Sequence, residues 1–599
     1  MLYKLKKNKA AVYLILLILL CFCLCQYGLQ RIFGFSLFPD EFGYWAPAAK
    51  MLGWDWSETT SLGSYYSFGY SLILAPILYF VKDSIMAYRT AVVVNMILMC
   101  IGLVLLYKLM QKLFPEMEKE RAVIISGIAV LYPPWIFYMQ MTMTEGLLLF
   151  IYILICYLSV CFFENPRAIT AAGLAVALVY IYFVHMRSIG MIAAGSLTLL
   201  LWAVSSKDSR LRRNVLFALL LLLALFLIGL GIKNGLIERL YHGASEELLQ
   251  NNDYSGQWGK LKVLFSPDGM KNFLAGCIAK MLYLGLATYG IAYWGIYFLI
   301  IKVISFFREW KKGRLVRKNF IWLFLAFTTA AQFLVTVIYT LGSADAGNDR
   351  LDLFVHGRYS ELIVPLLLAL GITKILDSRR LWLGTGMIIG FTALLTGAVG
   401  LVVNTNNTHM SNIHGYFMIG ISYLLEEESY RAIPFLWKAW GMGVCLILLA
   451  AAVITVLTKK RMEWLLAVVL LLQTALGLQA SEHYVYIGNS YGYGDIQIAD
   501  KLKEALESDG SGRIIHIYEG DNPYIQQVQF RMRNIKIDIL DAGKEEIRPE
   551  DIRGNDKLIL ESGSEYRDLF EAQYERSWEA GHLCLYYNCL LYTSDAADE

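Results

Sequence analysis

The sequence predicts a polytopic α-helical membrane protein carrying a small C-terminal α/β domain, and three observations lead there. Hydrophobic residues make up 57% of the chain and charged residues 17%, against roughly 25% charged in a soluble protein, and the mean hydropathy is +0.49. Apolar stretches long enough to cross a bilayer recur from residue 10 to residue 479, with basic residues gathered at alternate ends. From about residue 481 the composition turns soluble. The net charge of +3 says little, because the Lys and Arg clusters report orientation and not nucleic-acid binding.

The first span, 10–29, follows Lys4, Lys6, Lys7 and Lys9, which places the N-terminus in the cytoplasm by the positive-inside rule. An outer segment, 34–85, comes next. Within it 66–81 is apolar but short and interrupted by Gly69 and Pro76, which predicts helices lying on the membrane surface. Further spans are expected at 86–107, 122–139, 145–163, 168–184, 188–204 and 214–232. After a polar outer loop they resume at 275–301, 319–341, 358–376, 381–403, 435–457 and 463–479, about thirteen in all. Inner ends carry Lys108, Lys112, Arg121, Arg210, Arg213, the 308–318 stretch, Arg379 and Lys459, so nearly every basic cluster falls on one side.

The spans define a membrane domain, 1–480, and an extracytoplasmic domain, 481–588. In the latter, 496–506 and 523–533 read as helices, and 513–518, 535–540 and 557–560 as strands, with 566–574 continuing the alternation. Residues 589–599 resemble one reading frame of a transposase sequencing adapter and are set aside as foreign to the native chain. Most cysteines, such as Cys21, Cys100 and Cys156, sit inside apolar stretches with no metal-type spacing and no disulfide framework. No nucleotide-binding glycine loop and no internal repeat is visible.

Chemistry is expected where charge meets the outer membrane boundary, since charged groups there are costly unless solvated or used. Asp40-Glu41 follows the first span directly, and one of these carboxylates suits a general base on a hydroxyl while the other orients it or holds a metal. On spacing alone the pair reads equally well as a helix N-terminal cap. Glu145 opens the fourth span at the same membrane level, again as a base partner or a cap. Arg89, Arg187 and Arg358 stand at outer span ends, where a guanidinium can clamp a phosphate bidentately or snorkel to headgroups. Asp345, Asp349, Asp352 and Glu361 offer Arg358 a salt bridge as well. His409 and His414 lack a third ligand nearby, and Glu426, Glu427 and Glu428 read as a solvated loop face.

These residues carry a resemblance. The run Pro39-Asp40-Glu41-Phe42-Gly43-Tyr44, the Ala87-Tyr88-Arg89 entry to the second span, the 133–145 turn ending at Glu145, and Gly357-Arg358-Tyr359 before Pro365 follow one another in an order similar to the GT-C-fold glycosyltransferases of the protein mannosyltransferase and aminoarabinose-transferase superfamily. The likeness covers about residues 1–380. The segment Tyr66-Ser67-Phe68-Gly69-Tyr70 departs from the family in lacking a Pro-Pro pair, and only Lys82 is available for a lysine often found there.

The resemblance implies an inverting transferase that moves a sugar from a polyprenyl-phosphate donor to an acceptor hydroxyl on the outer face of a bacterial cell membrane. It implies Asp40, Glu41 and Glu145 as the catalytic carboxylates, Arg358, Arg89 and Arg187 on the donor phosphate, and Tyr44, Tyr359 and His356 against substrate. No cofactor is assigned and a divalent metal ion stays open. The expected partners are the lipid-linked donor, membrane lipids and an acceptor of lipid, protein or cell-wall glycan, with no nucleic acid. The alternatives are a lipid or polysaccharide flippase and an O-antigen polymerase or ligase.

Overall fold

The computed structural model describes residues 9–36, 40–63, 67–241, 257–341, 352–403, 409–411, 429–460, 464–509, 512–520 and 524–588. The basic residues Lys4, Lys6 and Lys7, together with Pro39, Asp345, Asp349, His414, Glu426–Glu428 and the 589–599 tail, lie outside them. Among the described residues ten helices are long and apolar enough to cross a membrane, and the chain is a multi-pass membrane protein.

Three expected spans fall outside those ten. The 122–139 stretch divides into Lys119–Val130 and Pro133–Tyr138, because Pro133 and Pro134 have no N–H to continue the first helix. The 168–184 stretch forms a helix with these bounds, Ala168–Val184, of only 17 residues. The 358–376 stretch becomes helical at Val364, after a 3₁₀ turn at Glu361–Ile363. Conversely, the single expected span 275–301 is two helices, Pro267–Ala287 and Ile291–Lys311. They part at Tyr289 and Gly290, whose φ angles of 58° and 74° are left-handed and incompatible with a continuing helix. The apolar 66–81 segment yields one short helix, Ser71–Phe80.

The last span does not end at a linker. Trp464–Ser481 passes through a π-helical stretch, Glu482–Ile487, and Gly488–Tyr491 into Tyr493–Asp509, the first helix of the C-terminal domain. Upstream of that span, a small ladder pairs β1 (His409–Ser411) antiparallel with β2 (Ser429–Arg431). The C-terminal domain itself holds β3 (Ile514–Tyr518), β4 (Asp538–Asp541), β5 (Lys557–Glu561), β6 (Arg576–Ala580) and β7 (Leu583–Tyr587), in the order β4-β3-β5-β7-β6. β3 runs parallel to both β4 and β5, while β7 is antiparallel to β5 and to β6. The strand expected at 535–540 thus starts later, and the β6–β7 hairpin was not foreseen.

Alternation along these strands builds two cores. Ile514, Ile559, Leu583 and Leu585 pack under Tyr493–Asp509 and Ile525–Met532, and Ile515, Ile517, Leu558, Leu560 and Cys584 pack against Phe570 on the opposite face.

This domain is fastened to the segment that precedes Asp40. Asn489 Oδ1 accepts from the backbone N–H of Phe33 and Gly34, each at 2.9 Å, and Gln527 Oε1 accepts from Phe35 N–H at 3.2 Å. Arg31 forms a bidentate pair with Glu482 at 2.5 and 2.7 Å. Phe530, almost fully buried, meets the rings of Phe35 and Trp45 at 4.9 Å each, the tilted approach that aromatic quadrupoles favour.

Candidate active site

The acidic pair does not act as a pair. Asp40 and Glu41 are adjacent in sequence, yet their side chains enter different environments. Asp40 keeps 19% of its side chain exposed, and its Oδ2 lies 2.7 Å from Arg358 Nη2. Glu41 is wholly buried. Its carboxylate accepts from Ser36 N–H at 2.7 Å, from Thr142 N–H at 2.8 Å, from the Thr142 hydroxyl at 2.7 Å, and from the Tyr88 hydroxyl in a short contact. Neither carboxylate caps the helix Phe42–Met51 that follows. Glu41 therefore ties the first loop to the 139–143 loop and fixes the backbone from which Asp40 projects.

Glu145 sits in the first turn of Thr144–Glu164 without capping it. Its Oε1 lies 2.5 Å from Arg187 Nη2 and 2.7 Å from Arg358 Nε. The result is a line of alternating charge, Asp40, Arg358, Glu145, Arg187, drawn from four places far apart in sequence. Two carboxylates and two guanidinium groups balance. Ion pairs this buried offset their desolvation only with close geometry, and all three contacts have it. Arg187 also lies 4.1 Å from the centre of the Tyr359 ring, within cation–π range.

The supports explain why the arginines stay in place. Arg187 belongs to a 3₁₀ turn, Met186–Ser188, between two helices. Beyond Arg358, the Tyr359 carbonyl accepts from Gln332 and Thr336, each at 3.0 Å. Lys280, fully buried, donates to the carbonyls of Leu353 and His356 at 2.6 and 2.7 Å and so holds the approach to Arg358. The His356 ring faces Tyr359 at 5.7 Å. The Tyr44 hydroxyl lies 3.2 Å from that of Thr144, next to Glu145. Tyr44, Tyr359 and His356 thus surround the line of charge as buried supports.

Two expectations are corrected. Arg89 stands apart from the cluster: its Nε and Nη2 donate to the carbonyls of Ile32 and Gln30 at 2.9 and 2.6 Å, closing the end of the first helix. Glu361 is no partner of Arg358. It meets the Tyr283 hydroxyl in a short contact instead. Lys280 went unnoticed in the sequence, although a single Lys within the apolar 275–301 stretch was the available signal. Asn95, which donates to the Met141 carbonyl at 2.9 Å, is a similar polar interruption of an apolar span. Among the described residues no group of three or more His, Cys, Asp and Glu side chains is placed to hold a metal ion.

No protein-family model matches the sequence, and no curated protein does. Solved structures do. ArnT from Cupriavidus metallidurans bound to undecaprenyl phosphate is similar at a TM-score of 0.50 and 13% identity, over 96% of this chain and 97% of that one. A weaker likeness, TM-score 0.45 at 11% identity, joins 93% of this chain to 70% of the archaeal oligosaccharyltransferase AglB from Archaeoglobus fulgidus in complex with an inhibitory peptide and a dolichol-phosphate. The chain has the GT-C fold that its sequence resembles.

Proposed function

We propose that this protein is an inverting glycosyltransferase that moves a sugar from a polyprenyl-phosphate donor to an acceptor hydroxyl at the membrane surface. The observation that carries the reading is the placement of Asp40 as the most exposed carboxylate of the buried charge line. The bound undecaprenyl phosphate of ArnT supports the donor class. The basic flanks support an outer location for the site and for the C-terminal domain.

In this reading the acceptor oxygen attacks the anomeric carbon from the side opposite the phosphate, and Asp40 takes the hydroxyl proton. The C–O bond to phosphate breaks, and its electron pair leaves on the polyprenyl phosphate. Arg358 is the pivot. Its guanidinium bridges Asp40 and Glu145. An incoming donor phosphate competes for the same N–H groups and loosens the hold on Asp40. Glu145 and Arg187 keep Arg358 aimed, which places positive charge where the leaving group develops negative charge. Arg89 supports the loop and does not touch the donor. A flippase is the weaker reading, because the members of the charge line stand at helix ends and in turns, not in mid-span.

The test is transfer from a panel of radiolabelled polyprenyl-phosphate sugars to a membrane or wall extract, using the protein in lipid, with and without a divalent ion. Transfer from one donor, lost in Asp40→Asn, is the expected result. Undiminished turnover in that variant would overturn the assignment of the base, and failure of every donor to bind would overturn the class.

A further inference from the structure

A groove of about 1060 Å³ lies away from the charge line, between the first helix, Lys119–Val130, and the spans Ala432–Lys460 and Trp464–Ser481. Its walls are apolar, with Ile124, Ile128, Leu446, Val453, Val469 and Leu476 among them. One end is different, for Lys9, Glu118, Glu120 and Arg121 gather there.

That end lies across the membrane from Asp40. Lys9 opens the helix Lys9–Gly28, which climbs about 30 Å at about 1.5 Å per residue before the chain reaches Asp40. Lys119–Val130 likewise starts at the charged end and leads towards Thr142 and Glu145. Two helices running from the groove's mouth to the charge line put the mouth in the opposite leaflet.

The mouth carries both signs of charge. Lys9, Glu118 and Glu120 make no ion pair among the described residues, and Arg121 spends only Nη2 on Asp377, at 3.2 Å. The Arg121 Nε is buried and has no partner among the described residues. Gln473 lines the groove further in, 5% exposed, and its Oε1 has none either. An anionic headgroup meets repulsion from Glu118 and Glu120, and a cationic one from Lys9 and Arg121. The far end of an isoprenoid chain carries no charge and gives these residues nothing to bind.

We propose that this groove is a binding site for one zwitterionic glycerophospholipid of the phosphatidylethanolamine type, in the leaflet opposite the charge line. The phosphate faces Arg121 and Lys9, the ammonium faces Glu118 and Glu120, and an acyl chain lies along the apolar walls. The site is independent of the transfer chemistry and stands whether or not a sugar donor is found.

The full chain, purified in mild detergent and stripped of lipid, is titrated with phosphatidylethanolamine, phosphatidylglycerol and undecaprenyl phosphate, and bound lipid is counted by native mass spectrometry. One phosphatidylethanolamine per chain is expected. Arg121→Ala is expected to weaken it about tenfold, the factor for losing one charge-assisted contact, and Ala450→Trp, which fills the groove, to abolish it. Thermal unfolding of each variant confirms that it is folded, and Arg121→Ala decides alone if Ala450→Trp is not. Equal retention of the three lipids, retention indifferent to both variants, or no retained lipid overturns the proposal. Preferential retention of undecaprenyl phosphate also overturns it and gives the groove to the carrier.

Discussion

The first loop joins two regions that treat the same functional group in opposite ways. On one side Asp40 meets a guanidinium and keeps access to solvent. On the other, Glu41 is sealed among N–H and O–H donors, and the loop behind it hangs on the C-terminal domain through Ser36, whose hydroxyl accepts from Asn489 Nδ2 at 2.6 Å. The lesson is that adjacent carboxylates divide the work. Glu41 holds the loop, and Asp40 projects from it towards Arg358.

Substitution at Asp40 should separate the two regions most sharply. Asp40→Asn is expected to lower transfer about 10²–10⁴-fold, the range for a lost general base, while thermal unfolding in detergent stays unchanged. If the same change also melted the protein, the two sides would not be distinct.

Acid should act on stability through the C-terminal domain. His516 lies buried in β3, where burial pushes its ring down to about 4 from 6.5, with Nδ1 3.0 Å from the Ile559 carbonyl. The unfolded state therefore binds more protons between those values. Stability is whole above pH 6.5, falls as pH drops towards 4 by about 3 kcal/mol in total, and levels off below. Hydrogen exchange across β3 and the 33–36 loop would follow that curve in the native chain and lose it in His516→Gln.

Glu41→Gln sits third in size. It removes an ionised acceptor from four donors, and a cost of about 1–3 kcal/mol in stability is expected, read as a lower unfolding midpoint. Residual activity per folded molecule should exceed that of Asp40→Asn. The reverse ranking would transfer the base role to Glu41. Arg89→Ala is the smallest, about 1 kcal/mol for hydrogen bonds to two carbonyls, with KM for the donor unchanged. A raised KM would return Arg89 to the phosphate site.

Much of the charge line was legible because charges at the ends of apolar stretches are rare and costly, which singled out Asp40, Glu145, Arg187 and Arg358. What joins them was not legible. Arg358 reaches Glu145 across more than two hundred residues, and no local pattern encodes that meeting. The inward turn of Glu41 escaped for a related reason, since the Thr142 that receives it belongs to a loop a hundred residues on. The spans followed hydropathy except where proline, 3₁₀ turns and left-handed φ broke it. In the C-terminal domain the β6–β7 hairpin was missed because Arg576–Ala580 is an exposed edge strand with little apolar signal.

The fastening of Phe33, Gly34 and Phe35 by Asn489 and Gln527 also orders the protein's birth. On the ribosome, the loop that presents Asp40 is made more than 450 residues before the groups that lock it. The spans among the described residues begin before those anchors, so a nascent chain halted before residue 489 is a membrane-inserted bundle whose Asp40 loop has no fixed address. Order at the Asp40 loop therefore waits for residues more than 450 positions further along the chain.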